Sequence, residues 1–250
     1  MRGSVKKIAV ISTKGGVGKT TTTVNVGHGL SLNGKRVIMI DCDSQSNLSD
    51  MYDLDSDRGV NALMMGKRAW MCEVRRNLFV IPSGGRRLIE YEWKLATQKD
   101  RERRLVRALE DLYNCDFVLL DCSSSMNLTN INALSFVDFV IIPVGMDYFS
   151  VSGLKQTFEL IKEICQRTGH HVRLMGILAT QFDVRTRISR EIYGVLSRMF
   201  PRELFSTVIH TNTRLRESPA FGKSIFEYDI SCNGARDYIK LTAEILAHDG

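Results

Sequence analysis

The chain has 250 residues, of which 44% are hydrophobic and 25% are charged, and its formal net charge is +6. This is the composition of an ordinary globular protein, and the length suffices for a single α/β domain over residues 1–250. No apolar run approaches the length of a membrane span, and none of the six cysteines has C-x-x-C spacing, which argues against zinc or iron–sulfur centres and favours a reducing cytoplasm.

Short apolar runs alternate with helical patterns along the chain. The predicted strands are 8–12, 37–40, 78–81, 117–120, 139–143, 174–179 and 205–209. The predicted helices are 20–32, 99–112, 151–168, 188–199 and 234–247. Continuous apolar strands with intervening helices predict a mostly parallel twisted sheet with helices on both faces and ligands at the carboxyl ends of the strands. Residues 44–77 have the weakest pattern, which is typical of a mobile surface region.

The most informative segment is a glycine-rich turn between the first predicted strand and the first predicted helix. Its glycines let the backbone turn tightly and direct N–H groups at a polyphosphate. Lys19 is expected to bridge the terminal phosphates, and the Thr20 hydroxyl is expected to bind magnesium. The residues expected to contact the nucleotide here are Lys14, Gly15, Gly16, Val17, Gly18, Lys19, Thr20 and Thr21.

Two positions of this loop depart from the common phosphate-loop pattern. Thr13 occupies the place of the usual glycine, six residues before Lys19, and Lys14 adds a second cation. A cation at position 14 has little to do within its own loop unless it reaches another phosphate. A phosphate bound by a partner subunit would meet that requirement.

Acidic residues follow two of the predicted strands. Asp41 and Asp43 come directly after strand 37–40, and Asp121 comes directly after strand 117–120. One carboxylate of the first pair can hold magnesium through water, and the other can orient the attacking water. Asp121 is the expected magnesium partner of a phosphate-loop enzyme. Nucleotide hydrolysis depends mainly on positioning and charge neutralisation, so this set of residues is sufficient for it.

The excess positive charge is concentrated in residues 184–223, which carry +5 while the rest of the chain carries +1. Such a concentration favours an anionic polymer as a partner. The basic residues of the segment are Arg185, Arg187, Arg190, Arg198, Arg202, Arg214, Arg216 and Lys223.

Together these segments resemble the ParA/Soj branch of the ParA–MinD family of deviant-Walker ATPases over essentially the whole chain. Residues 14–21 match the family signature K-G-G-V-G-K-T-T, and residues 41–45 match D-x-D-P-Q with Ser44 in place of proline. The other matches are residues 121–125 to D-x-P-P-S, 142–149 to I-P-V-x-x-E-Y-Y, 211–219 to R-N-V-R-L-S-E-A-P and 221–225 to H-G-K-P-I.

The resemblance implies a P-loop NTPase fold of deviant Walker A type that binds ATP and Mg²⁺. Lys14 would reach across a dimer interface to the partner's nucleotide and act in catalysis with Lys19. Asp43 would be the catalytic carboxylate. Asp41 and Asp121 would support the magnesium held by Thr20. Asn212 falls in the segment that lies near the nucleotide base.

The resemblance also implies a function. The family forms ATP-dependent dimers that bind DNA without sequence preference and hydrolyse ATP slowly until a ParB-like partner stimulates them, in the cytoplasm at the nucleoid. Arg185 matches an arginine implicated in DNA binding, and Ser123 and Ser124 replace a proline pair, which bears on the rate of hydrolysis. The positions expected to contact DNA are Arg185, Arg187, Arg214, Arg216 and Lys223.

Three alternative functions can be compared with the sequence. A membrane switch of the MinD type ends in a basic amphipathic helix, whereas residues 241–250 contain Glu244 and Asp249 and no lysine run, so no membrane partner is expected. An iron–sulfur carrier is opposed by the cysteine spacing. A ParA-like ATPase that positions another cargo, such as chemoreceptor clusters, carboxysomes or a conjugation complex, stays open because the adaptor selects the cargo.

Overall fold

The computed structural model describes residues 5–54, 57–110, 112 and 114–248. Residues 1–4, Asp111 of the predicted helix 99–112 and Asp249 of the tail lie outside the described residues. The strands are β1 Lys6–Val10, β2 Val37–Cys42, β3 Cys72–Arg75, β4 Leu78–Ile81, β5 Phe117–Cys122, β6 Phe139–Gly145 and β7 Arg173–Thr180. Within the described part they form one sheet in the order β3-β4-β2-β5-β1-β6-β7.

Helices cover both faces of this sheet, as predicted. They are α1 Lys19–Leu32, α2 Asn47–Met51, α3 Val60–Met64, α4 Arg86–Leu95, α5 Arg104–Ala108, α6 Leu128–Phe136, α7 Ser150–Thr168, α8 Arg187–Met199, α9 Thr213–Glu217, α10 Ile225–Tyr228 and α11 Asn233–Ala247. Short 3₁₀ turns lie at Arg101–Arg103 and Ser218–Phe221. No helix among the described residues has the length and hydropathy needed to cross a membrane.

Alternate residues of each central strand point to two separate cores. In β2, Ile38 and Ile40 pack in the core shared with α3 to α8, whereas Val37 and Met39 pack in the core shared with α1, α2 and α9 to α11. Side chains of a strand alternate between the faces of the sheet. A strand covered on both faces is therefore apolar at every position, which is why the central strands read as continuous apolar runs.

The mostly parallel sheet is confirmed, with an exception at one edge. β3 pairs antiparallel with β4, whereas β1, β2, β4, β5, β6 and β7 pair in parallel. The sequence did not indicate β3, because its residues are only partly buried and do not form an apolar run.

The predicted strand at 205–209 is wrong. The N–H groups of Phe205 and Ile209 donate to carbonyls of β7 at 3.0 and 2.8 Å, so both ends of the segment follow that strand. Between them, the N–H groups of Ser206 and Thr207 donate instead to the Glu244 carboxylate of α11 at 3.0 and 2.8 Å. This diversion breaks the ladder and leaves isolated bridges beside β7.

Two further expectations are corrected by packing. Residues 44–77 are no loose surface region in their described part, because they contain α2, α3 and β3 and bury Leu48 and Met64 completely. The predicted helix 99–112 is reduced to a 3₁₀ turn followed by α5. Asn132 of α6 accepts the N–H groups of Arg104 and Leu105 at 2.6 and 3.1 Å, so a neighbouring helix fixes where α5 begins.

Candidate active site

The phosphate loop connects the carboxyl end of β1 to the first turn of α1. Gly16 and Gly18 have φ angles of +74° and +89°, which L side chains rarely adopt, so glycine is required at both positions. Gly18 precedes α1 without any side-chain cap. The first N–H groups of α1 are therefore left to a ligand, and together with the helix dipole they form a site for an anion.

Residues from distant elements hold this loop in place. The Thr13 hydroxyl donates to the Gly153 carbonyl of α7 at 3.1 Å, and the Thr13 N–H donates to the Thr157 hydroxyl at 3.1 Å. On the other side, Thr180 at the end of β7 donates to the Val17 carbonyl at 2.9 Å. The unusual Thr13 thus links the loop to α7, a role that sequence reasoning did not anticipate.

A cleft of about 610 Å³ lies over the loop, within the size range of small-ligand sites. Its lining includes residues 15–21, Asp43 and Asn212, so every residue predicted to contact nucleotide except Lys14 faces the same space. Asn212 also accepts the Arg214 N–H at 2.8 Å and thereby caps α9. Gln181, which the sequence analysis missed, lines the cleft and donates to the Gly16 carbonyl at 2.7 Å. Its position directly after β7 is the signal that could have identified it, because ligands bind at the carboxyl ends of strands.

Lys19 lies buried at the start of α1. Its ammonium donates to the Lys14 carbonyl at 3.2 Å, so it is folded back onto the loop. Burial lowers the pKa of Lys19, and the negative charges of Asp121 and Asp43 oppose this shift. A bound polyphosphate would supply the counter-charge that the buried ammonium lacks within the loop.

Asp121 is buried at the end of β5, beside the start of α1. The Thr23 hydroxyl donates to its Oδ1 at 3.4 Å, whereas its Oδ2 is buried without any hydrogen-bond partner. Burial, and next the charge of Asp41, raise the pKa of Asp121 to about 8, against the opposing effects of Thr20 and Lys19. A cation near Oδ2 would stabilise the carboxylate, so the site fits Mg²⁺.

The protein alone does not form a cation cage. No group of three or more His, Cys, Asp or Glu residues suited to a metal occurs among the described residues. Mg²⁺ commonly keeps several waters and binds through one or two protein oxygens plus substrate phosphates. Thr20 and Asp121 are the residues that would hold it here, with the nucleotide supplying other ligands.

Asp41 has a different environment from that of Asp43, although only Cys42 lies between them. Buried Asp41 accepts the Asp43 N–H at 3.1 Å and the N–H and hydroxyl of Ser49 at 2.9 and 2.6 Å. Burial raises its pKa to about 6 despite these donors. Asp41 does not line the cleft, whereas Asp43 does. Asp41 therefore orients the loop that carries Asp43, and direct contact of Asp41 with metal stays a prediction.

Lys14 does not line the cleft. Its ammonium forms an ion pair with Asp147 after β6 and lies 3.4 Å from the Ser150 hydroxyl. Partial burial raises the pKa of Asp147, but hydrogen bonds from Lys14 and neighbouring donors lower it overall. Asp147 is thus the intramolecular partner of the second loop cation, a pairing between residues 133 positions apart.

The loop after Asp121 is held without prolines. The Asn130 side chain of α6 accepts the Ser123 N–H at 3.2 Å and donates to the carbonyls of Ser123 and Ser125 at 3.0 and 2.7 Å. Ser124 lines the cleft. Hydrogen bonds from α6 therefore stabilise this turn.

Two of the predicted DNA-contacting arginines lie where β7 leads into α8. Arg185 donates to both oxygens of Asp183, at 2.9 and 2.7 Å, while most of its side chain stays exposed. Arg187 pairs with Glu191 one turn further along α8, at 2.6 Å. Exposed pairs of this kind are worth about 0–1 kcal/mol, so both guanidinium groups can exchange partners readily.

The other three lie on or after α9. Arg214 pairs with Glu217 at 3.1 Å and lies 3.6 Å from Asp229. Arg216 lines the nucleotide cleft. Lys223 is exposed before α10.

The sheet, the phosphate loop and the acidic strand ends define a class of protein. The first strand of the parallel sheet leads through K-G-G-V-G-K-T-T into a helix, and Asp43 and Asp121 lie beside this loop. This arrangement defines a P-loop NTPase of deviant Walker A type.

Comparison with known proteins identifies the family. A family model described as an AAA domain matches residues 5–174. The chromosome-partitioning ATPase Soj of Treponema pallidum is 34% identical over 98% of this chain and 98% of its own. The sporulation initiation inhibitor protein Soj of Bacillus subtilis is 35% identical over 97% of this chain and 99% of its own. Cobyrinic acid a,c-diamide synthase from Mycobacterium smegmatis, with bound ATP analog and magnesium, superposes with a TM-score of 0.83 at 26% identity, over 98% of this chain and 96% of that one. The chain belongs to the ParA/Soj family of ATPases, and its cofactors are ATP and Mg²⁺.

Proposed function

We propose that this chain is an ATP-dependent dimeric switch that binds DNA without sequence preference and hydrolyses ATP to segregate or position DNA. The position of Lys14 carries the proposal. It is the one residue of 14–21 that does not line the cleft of its own chain. A loop cation that does not line its own cleft has a use when a second subunit brings another nucleotide to it. The full-length similarity to chromosome-partitioning ATPases supports the same conclusion.

The hydrolytic step follows from the residues around the cleft. The N-terminal N–H groups of α1 and the Lys19 ammonium bind the phosphates, and Thr20 and Asp121 would hold Mg²⁺. When bound, the ion would supply positive charge beside the phosphates. Asp43, fixed by its own N–H bond to Asp41, orients the attacking water. Lys14 of the other subunit adds positive charge, so hydrolysis needs the dimer.

DNA binding follows from the exposed cations at the start of α8 and around α9. Phosphate groups can replace the carboxylates that pair with Arg185 and Arg187, because exposed ion pairs contribute little free energy. One subunit offers few contacts, whereas an ATP-bound dimer offers two sets that act together. The contacts are to phosphates, so binding is independent of sequence and weakens with salt at a log–log slope of about −0.9 per phosphate contact.

The same mechanism implies the partners and the location. A ParB-like protein stimulates turnover and thereby releases the dimer from DNA. The protein acts in the bacterial cytoplasm at the nucleoid, as a single domain over residues 1–250. The cargo, whether chromosome, plasmid or protein assembly, is selected by that partner.

The test measures binding to several unrelated duplexes, with and without ATP, at several salt concentrations. We expect binding that requires ATP, is equal among the duplexes and falls steeply with salt. Arg185→Glu is expected to weaken it about tenfold or more while ATP-driven dimerisation, followed by light scattering, is retained. Lys35→Glu, at the opposite end of the sheet from the cleft, is the matched charge-reversal control. Equal binding without nucleotide, or binding to one sequence only, would refute the switch. Liposome binding without DNA binding would favour a membrane switch instead.

A further inference from the structure

A second basic segment lies at the other edge of the sheet from residues 184–223. Residues 67–107 contain twelve Lys and Arg and five Asp and Glu, a net charge of +7. The net charge of the chain outside 184–223 is nearly neutral, because acidic residues elsewhere offset the positive charge of residues 67–107. It includes β3 and β4, which β2 and β5 separate from β1 and its phosphate loop. None of its residues lines the nucleotide cleft.

Four of these cations surround one groove of about 570 Å³. Lys67 and Arg68 lie on the connection from α3 to β3, and Arg104 and Arg107 lie on α5. No acidic residue lines the groove among the residues that the structure describes. The rim is thus uniformly cationic, although its members come from two segments more than thirty positions apart.

Three of the four rim cations form no ion pair with any described residue. Lys67 and Arg68 are exposed. Arg104 donates through Nη2 to Gln98 at 2.6 Å, but its Nε is buried without an acceptor. Arg107 alone is paired, with Asp100 at 2.8 Å, and both of those side chains are more than half exposed.

The floor of the groove is apolar. Leu63, Ile81 and Leu109 line it while belonging to the core beneath, and Met71 lies beside them with 38% of its surface exposed. The phosphate groups of a DNA duplex make no apolar contact with such a floor, and a flat bilayer surface does not enter a groove. A peptide with both carboxylates and aliphatic side chains matches the rim and the floor at once.

We propose that this groove docks an acidic amphipathic peptide segment of a partner protein, with carboxylates on the rim cations and aliphatic side chains on the apolar floor. The groove and the nucleotide cleft share no lining residue. Docking therefore leaves the cleft of the same chain open. This surface adds a partner site to the proposed function and does not depend on DNA binding.

The experiment uses the full chain and a fluorescein-labelled amphipathic peptide of glutamate and leucine, followed by fluorescence anisotropy. We expect saturable binding that the double substitution Lys67→Glu with Arg68→Glu weakens about tenfold or more, because two attractive pairs become repulsive. The matched control is Lys162→Glu with Lys240→Glu, which makes the same charge change on exposed positions of α7 and α11. Nucleotide affinity measured on both double variants reports that each is folded.

Two altered probes separate charge from apolar contact. Replacing glutamate by glutamine, or leucine by serine, is expected to reduce affinity in each case, because rim and floor both contribute. Absence of peptide binding, or equal loss in the control variant, would overturn the proposal. So would displacement of the labelled peptide by duplex DNA or by vesicles containing phosphatidylglycerol with the same dependence on Lys67 and Arg68, since the groove would then be a general polyanion site.

Discussion

Asp147→Asn is expected to strengthen ATP-dependent dimerisation. In the single chain, Lys14 is held by Asp147, whereas the dimer proposed above requires Lys14 to reach the partner's phosphates. The two contacts compete for one ammonium group. Removing the carboxylate frees Lys14, whereas Lys14→Ala removes the cation itself and is expected to prevent closure and turnover while some nucleotide binding remains.

The size of the effect follows from the exposure of the pair. The side chains of Lys14 and Asp147 are 26% and 49% exposed, so the pair is partly screened and is worth about 0.5–1 kcal/mol. Formation of a symmetric dimer breaks this ion pair in both subunits. The dimer dissociation constant of Asp147→Asn is therefore expected to fall by about 5- to 30-fold, corresponding to about 1–2 kcal/mol.

Sedimentation or light scattering across a concentration series, with ATP and Mg²⁺, measures this constant. Asp183→Asn is a suitable control, because it removes the carboxylate of another exposed ion pair at a position away from the phosphate loop. Weaker dimerisation of Asp147→Asn would refute the competition and would mean that Asp147 itself contributes to the dimer interface. An unchanged constant would mean that Lys14 does not leave Asp147 on closure.

Three other predictions concern the cleft. Lys19→Ala should weaken ATP binding by about tenfold to a hundredfold through loss of a charge-assisted contact, and unchanged affinity in calorimetry would exclude the phosphate role. Asp43→Ala should retain ATP binding and dimerisation but lower turnover by about 10²-fold or more; normal turnover would reassign the carboxylate role to Asp121. Because the pKa of Asp121 is raised to about 8 and that of Asp41 to about 6, these two carboxyls bind more protons in the folded, nucleotide-free protein than in the unfolded chain between about pH 4 and 8. The unfolding free energy of the protein should fall as pH rises to 8, by about 1.4 kcal/mol per unit between pH 6 and 8, and urea denaturation of Asp121→Asn should lack that slope.

Local sequence determined the nucleotide-binding half of this protein. The phosphate loop, α1 and the aspartates at the carboxyl ends of β2 and β5 follow from apolar runs, glycines and strand ends, all of which act over a few neighbouring residues. The lengths of α7, α8 and α11 were predicted within a residue for the same reason, since their apolar spacing and caps are local. The extent of the single domain, the residue roles and the DNA contacts remain predictions.

Tertiary structure decided the features that depend on residues far apart in the chain. Glu244 removes two N–H groups from the ladder at 205–209, and Asn132 sets the start of α5. The Ser49 hydroxyl donates a hydrogen bond to Asp41, and Asp147 forms an ion pair with Lys14. In each case a side chain from another element satisfies a backbone or charged group, and no pattern in the neighbouring sequence reports which partner will be there. The cationic groove has the same origin, because packing α5 beside the α3–β3 connection is what brings its four cations together.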